Sequence, residues 1–233
     1  DNKGENTGGM GSFAPSKITS KEKMLLADYL KQLKNALKAE HADFCGVIYS
    51  GLMLANNDIY VLEYNIRFGD PEIQSLLELL DNDLLDIFIK MSEKRLNEAQ
   101  LTFGRKTAYC VVLASEGYPI NPKKGALISG LDTAIKNNCK LYFAGVKNTT
   151  SKNDYNLPEC EGHNKKNSDT DLTIKKRLQN NIQTGYKFDG KLVSNGGRVL
   201  SIVKSGKNAL NDIYKTAQEI KFAGKIYRRD IGQ

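Results

Sequence analysis

The 233-residue sequence contains no apolar run approaching the roughly 20 residues that a membrane helix requires. No signal peptide is recognisable at its start, so a cytoplasmic location is expected and membrane insertion is not. Cysteine is scarce. Cys45, Cys110, Cys139 and Cys160 are scattered, with no CxxC pair, which fits a reducing compartment better than a disulfide framework. Cys45 and Cys110 lie in apolar, strand-like runs, where free cysteine behaves as a small hydrophobe. Cys160 and His163 have a ligand-like spacing, but no second pair accompanies them to complete a zinc site. There is no internal repeat, no RNP-like aromatic motif and no compact basic helix. The net charge is +7, and +3 of it sits in one hydrophilic stretch from Lys147 to Lys187. The remainder is diffuse, as in an enzyme for anionic substrates, and a nucleic-acid partner is not expected.

What is present is organised around Tyr60 to Glu72, YVLEYNIRFGDPE. In an extended strand Val61, Glu63, Asn65 and Arg67 fall on one side, and Leu62, Tyr64, Ile66 and Phe68 on the other. The apolar set is expected to be buried against helices. Glu63 and Asn65 then offer two oxygens about 7 Å apart, which suits a hard cation such as Mg²⁺. Arg67, one step on, suits a carboxylate or phosphoryl oxygen. Gly69 breaks the strand; Asp70 reads as a helix N-cap, Pro71 as the first helical residue and Glu72 as a charge matched to the helix dipole. A half-solvated antiparallel sheet shows the same alternation, so the pattern alone leaves both readings open.

The rest of the chain supplies a frame. The first residues, DNKGENTGGMG, hold four glycines in eight positions, which lets backbone N–H groups approach an anion or simply makes a flexible tail. Thr19 and Glu22 form a capping box for a helix to about Glu40, whose Leu26, Leu30, Leu33 and Leu37 read as core. Phe44 to Leu54 reads as a buried strand, turning at Ala55 to Asp58 into the strand above. A helix follows Pro71 and is interrupted or restarted at Asp81 to Asp83. The polar stretch from Ser92 to Lys106 marks a domain boundary, giving units 1–95 and 107–233. The second unit opens with an apolar strand, Thr107 to Ser115, and continues with short strands at Ala126 to Leu131 and Lys140 to Val146. Residues 148–186 are polar and read as an inserted loop, with a short helix possible near Asp171 to Ile182. Lys191 to Ser205 has the form of a hairpin around Asn195-Gly196-Gly197, Asn208 to Lys221 is an amphipathic helix, and Lys225 to Arg229 is a closing strand.

Three segments in order, GENTGGMG (Gly4 to Gly11), LEYNIRFGDPE (Leu62 to Glu72) and SNGGRVL (Ser194 to Leu200), with the terminal YRRDIG, resemble the phosphoribosylamine–glycine ligase family of the ATP-grasp superfamily. Glu5 stands where that family has proline. The resemblance implies an α+β fold: a C-terminal lobe of an ATP-grasp domain, then a small mixed α/β domain with antiparallel hairpins. It also implies ATP-dependent joining of glycine to 5-phosphoribosylamine through a glycyl phosphate. By resemblance Glu63 and Asn65 hold Mg²⁺ (or Mn²⁺) on the phosphates of ATP, and Arg67 is catalytic. Asn6, Thr7, Gly8, Gly9, Met10 and Gly11, with Asp70 and Pro71, border the glycine side; Gly196, Gly197 and Arg198 reach toward the ribosylamine phosphate. The family's enzyme is considerably longer, so the expected partners are its three substrates and the missing N-terminal part of the same enzyme, without which this chain is expected to be inactive. The alternatives are another ATP-grasp carboxylate–amine ligase, which is not expected to share SNGGRVL and the terminal DIG, and a non-catalytic fragment that only assembles with the missing half.

Overall fold

A computed structural model describes residues 4–42, 44–149 and 191–232. It has the α+β character expected: helices mixed with strands whose pairings are antiparallel. No helix among the described residues is long and apolar enough to cross a membrane. Most of the stretch 148–186, including the helix expected near Asp171, Cys160 and His163, lies outside the described residues.

The main sheet is built on β4 (Ala108–Ser115) and β8 (Arg198–Ser205). Around them run β1 (Gly11–Ala14), β5 (Lys140–Phe143) and β9 (Lys225–Ile226), in the order β1-β4-β8-β5 with β9 also on β4. β1 pairs with β4 from Gly11↔Val111 to Ala14↔Ala108, so the residues that follow the glycine-rich loop belong to the same sheet as the C-terminal strands. Helix α2 (Glu72–Leu77) packs on one face of this sheet and α5 (Ala209–Glu219) on the other, with α4 (Asp132–Lys136) beside α5. Cover on both faces explains why β4 reads as a continuous apolar run rather than an alternating one. Val111 and Leu113 join Val199, Leu200, Ile202, Ile213, Ala217 and Ile220 in one core on the α5 side. Cys110, fully buried, has its thiol pushed up to about 12 by desolvation, as expected of an inert small hydrophobe.

A second, two-stranded sheet, β2 (Tyr49–Ala55) and β3 (Asp58–Asn65), turns through Asn56 and Asn57, both at positive φ as a tight hairpin requires. Helix α1 (Ser20–Ala39) starts at the Thr19–Glu22 capping box and lies along this hairpin, Tyr29 donating its hydroxyl to Ser50 Oγ at 2.9 Å.

Several expectations are corrected. The leucine stripe of α1 is not core: no residue of that helix is buried, and Leu30 is 59% exposed. β2 begins at Tyr49, not Phe44, and Cys45 is exposed with its thiol on the Met91 carbonyl. Residues 126–131 form isolated bridges, Leu127↔Val193 and Ser129↔Lys221, rather than a strand. The segment 191–205 is not a hairpin. β7 (Leu192–Ser194) pairs with β6 (Val146–Asn148), while β8 pairs with β4 and β5. The apolar core rewards β8 for entering the main sheet, and the two glycines serve the crossing between the sheets. The helix after Pro71 does stop and restart: Asp83 caps α3 (Leu84–Ser92), accepting from the Leu85 N–H at 2.8 Å.

The β6–β7 pair brings the ends of the polar stretch together. Asn148 stands opposite Leu192, and Thr149 donates both its N–H and its hydroxyl to the Lys191 carbonyl at 3.0 Å. Replacing residues 150–190 by Asn-Gly should therefore close an ordinary hairpin. The melting temperature is expected to fall by less than about 4 °C, since about 1 kcal/mol moves it by about 2–4 °C at this size. A fall of more than about 8 °C in a thermal scan would show that the segment packs against the rest.

Candidate functional site

The strand that carries Glu63 and Asn65 is bulged. Gly51 stands opposite Glu63, but Leu52 stands opposite Val61, so Leu62 is an extra residue in β3. Gly51 and Leu52 are neighbours and point to opposite faces, so Val61 and Glu63 do as well. This overturns the simple alternation. Ile59, Val61 and Tyr64 turn toward α1, where they line a groove with Leu25, Tyr29 and Leu33. Glu63 and Asn65 turn to the other face, beside Gly51 and Tyr49. The bulge thus separates the packing face from the polar face at the residues expected to bind metal, while Leu62 and Ile66 are left 65% and 83% exposed rather than buried. β3 ends at Asn65; Arg67 lies beyond it, with its guanidinium on the Phe68 carbonyl at 2.7 Å.

Tyr49 is the centre of this cluster. Its hydroxyl is pushed up to about 12, first by burial, then by the carboxylate of Glu72, to which it hydrogen-bonds, and by that of Glu63, with Arg67 opposing them. Glu72 thus bonds this hydroxyl, and the charges of Glu63 and Arg67 act on it. Beside it the Asn65 side-chain nitrogen is buried without a hydrogen-bond partner. A half-turn of that amide puts its oxygen there instead, and oxygen is what a hard cation takes. Among the described residues no group of three or more His, Cys, Asp or Glu side chains could hold a metal ion. Glu63, Asn65 and Glu72 could together hold a divalent cation, since such an ion takes one or two carboxylates and completes its shell with water and substrate phosphates. Glu72 was legible in the sequence only as a favourable helix-end charge, and Tyr49 carried no signal at all.

Five residues beyond Asn65, at Asp70, the chain meets the glycine-rich loop. Arg198, at the start of β8, sends its Nη1 to the carbonyl oxygens of Gly8 at 2.7 Å and Asp70 at 2.6 Å, and its Nη2 to the Asp70 carboxylate at 2.9 Å. Gln74 donates to the other Asp70 oxygen at 2.9 Å. Asp70 is therefore not the helix cap: Pro71 occupies that position without a side-chain bond. The Gly8 N–H donates to the Tyr118 hydroxyl at 2.9 Å, and the Tyr118 ring covers Gly197. Gly9 has φ +97°, and a Cβ there would lie 2.5 Å from the Pro71 ring, so only glycine fits. Met10 accepts from the Val112 N–H, Gly11 opens β1, and Ser12 donates to the Pro71 carbonyl at 2.8 Å. Asn6 and Thr7 lie exposed at the loop's outer end, with Thr7 Oγ1 accepting from the Gly9 N–H. Gly196 packs against Gly145.

The structure thus gathers Gly8, Gly9, Asp70, Pro71, Gly197 and Arg198 in one place, and Glu63, Asn65 and Arg67 in an adjoining cluster joined to it through the Asp70–Glu72 turn. Tyr118 was missed by sequence reasoning, where Gly117-Tyr118-Pro119 reads only as a loop.

Comparison with known proteins adds family membership. Residues 1–73 match the family model described as phosphoribosylglycinamide synthetase, ATP-grasp (A) domain, and residues 108–233 match the phosphoribosylglycinamide synthetase C domain. A phosphoribosylamine–glycine ligase of Fusobacterium nucleatum is 36% identical over 236 residues, covering 98% of this chain and 46% of its own length. The trifunctional purine biosynthetic protein adenosine-3 of Gallus gallus is 34% identical, covering 98% of this chain and 20% of its own. A solved phosphoribosylamine–glycine ligase from Thermotoga maritima superposes with a TM-score of 0.70 at 30% identity, over 99% of this chain and 48% of that one. The chain spans about half the length of most of the curated relatives it matches.

Proposed function

The chain belongs to the phosphoribosylglycinamide synthetase family, and from that premise we propose that it supplies the metal-and-phosphate end and the C-terminal domain of a ligase joining glycine to 5-phosphoribosylamine. ATP is consumed, and glycinamide ribonucleotide, ADP and phosphate are formed. The observation that carries this reading is the meeting of three distant motifs at Arg198, whose guanidinium ties Gly8 to Asp70.

The reaction runs in two steps. The glycine carboxylate attacks the terminal phosphoryl group of ATP, giving glycyl phosphate and ADP. The amine of phosphoribosylamine then attacks the glycyl carbonyl, and phosphate leaves. A divalent cation, when bound, supplies charge neutralisation on the phosphoryl oxygens. Glu63, Asn65 and Glu72 are the residues that would hold it. Arg67 would stabilise charge developing on the transferring phosphoryl and acyl phosphate oxygens. The loop from Asn6 to Gly11, held against Asp70 and Pro71, would border glycine, and Gly196 and Gly197 would face the ribosylamine side. The remaining partner is the rest of the enzyme, which the relatives carry in one chain and which would supply the opposing wall of the nucleotide site. The reading puts the reaction in the cytoplasm.

The test is phosphate release by a full-length chain carrying this sequence, measured with ATP and each substrate alone or together. Release that needs both glycine and phosphoribosylamine is expected. Release with a different carboxylate–amine pair would favour another ATP-grasp ligase, and none with any pair would favour a non-catalytic role.

A further inference from the structure

We propose that Arg198 is a positioning residue for the glycine-rich loop, working with Tyr118, and that its guanidinium serves the glycine subsite through the loop rather than the phosphate of the ribosylamine substrate. The proposal rests on the ligase reading for the identity of the subsite, and on geometry alone for the clamp.

Gly8 is held on both of its main-chain polar groups by the C-terminal domain. Its N–H goes to the Tyr118 hydroxyl at 2.9 Å and its carbonyl takes Arg198 Nη1 at 2.7 Å. These partners lie 110 and 190 residues away in sequence. Nothing local fixes the loop in the same way: Gly8 and Gly9 have no side chains to pack, and Gly9 sits at φ +97°. A glycine pair of this kind has high conformational entropy when unbound, so external hydrogen bonds decide its geometry. The same guanidinium grips the other wall, with Nη1 on the Asp70 carbonyl at 2.6 Å and Nη2 on its carboxylate at 2.9 Å. A planar fork of donors can span three acceptors on two segments, which an ammonium cannot.

Arg198 is itself aimed. In the β4–β8 pair Leu113 stands opposite Leu200 and Ala114 opposite Arg198, so Val199 is an extra residue. Bulges of this kind redirect a side chain, and here the bulge is pinned by the Gly145 N–H on the Arg198 and Val199 carbonyls at 2.9 and 3.0 Å. The Arg198 side chain is only 22% exposed and neutralised by Asp70, which is poor placement for an incoming dianion and good placement for a strut.

The experiment uses Arg198→Gln, Arg198→Lys and Tyr118→Phe in the full-length chain. Hydrogen exchange should quicken about tenfold at residues 6–10 in Arg198→Gln, with β4 and β8 unchanged, and by a smaller factor in Tyr118→Phe, which removes one hydroxyl and little else. KM for glycine should rise about tenfold in both Arg198 variants while KM for phosphoribosylamine stays within about twofold. Lysine should not rescue. A phosphate-binding role predicts the reverse: KM for phosphoribosylamine alone rises, lysine largely restores it, and loop exchange is unchanged. That result overturns the proposal. If the unmodified chain releases no phosphate with these substrates, the ligase reading fails, and the exchange data then decide the clamp by themselves. If Arg198→Gln does not fold, Tyr118→Phe and Arg198→Lys carry the same comparison.

Discussion

Glu63→Gln in a full-length chain carrying this sequence is expected to lower ligase turnover by about a hundredfold or more and to leave the melting temperature within about 2 °C. The reason is that Glu63 contributes charge and little packing. Its side chain is exposed on the polar face of β3, and its place in the sheet is set by main-chain pairing with Gly51. Its Cγ lies 3.0 Å from where a Gly51 Cβ would be, so the side chain lies across that glycine, and glutamine follows the same path. What changes is the net charge acting on Tyr49, to which Glu63, Glu72 and Arg67 all contribute. A carboxylate contributes a full charge to a hard cation and an amide only a dipole. Loss of even an outer-shell partner typically costs about 10–100-fold in metal affinity or activity, so a direct ligand should cost at least as much. Mn²⁺ affinity, read by paramagnetic relaxation without turnover, should fall about tenfold or more in parallel. Near-normal turnover at saturating Mg²⁺ with unchanged Mn²⁺ affinity would remove Glu63 from the metal site.

In β3 the sequence and the structure part company because of a bulge. The capping box of α1, the Asn56-Asn57 turn and the Asp83 restart are local devices, written within four or five residues, and each is found where the sequence puts it. Alternation in β3 is also local, but it assumes an unbroken ladder. The extra residue at Leu62 reverses the faces, so Val61 belongs not with Glu63 but with Ile59 and Tyr64 against α1. Glu63 and Asn65 still share a face because the bulge precedes both. SNGGRVL is misread through long-range pairing instead. A strand–Gly-Gly–strand pattern looks like a hairpin, but the strands on either side go to different sheets. Arg198 then acquires partners from the other end of the chain, which no spacing rule could anticipate. The leucines of α1 fail for a different reason: helical periodicity finds an apolar stripe, not how much surface is available to cover it.

Gly145→Ala is expected to be among the most damaging small substitutions in the chain, lowering the melting temperature by about 2–12 °C. A Cβ at position 145 would lie 2.7 Å from the Arg198 carbonyl oxygen, 2.7 Å from Gly196 Cα and 2.9 Å from Gly196 N. All three neighbours are main chain, so no side chain can rotate away to relieve the clash. Gly145 and Gly196 are in mutual contact where the β6–β7 ribbon crosses the end of the main sheet, and Asn195 N–H donates to the Gly145 carbonyl at 2.7 Å across the same crossing. Overpacking in a tight interior costs about 1–3 kcal/mol, and each kcal/mol lowers the melting temperature by about 2–4 °C at this size. The consequence should not stop at stability. The Gly145 N–H holds the bulge that aims Arg198, so separating these segments should loosen the hold of Arg198 on Gly8 and Asp70. Hydrogen exchange at residues 6–10 should therefore rise in Gly145→Ala even well below its melting temperature, whereas Ile213→Ala, a core truncation on the α5 side, should lower stability without that local signature. An unchanged melting temperature would mean that the main chain of Gly196 and Arg198 leaves room in solution for a Cβ at position 145.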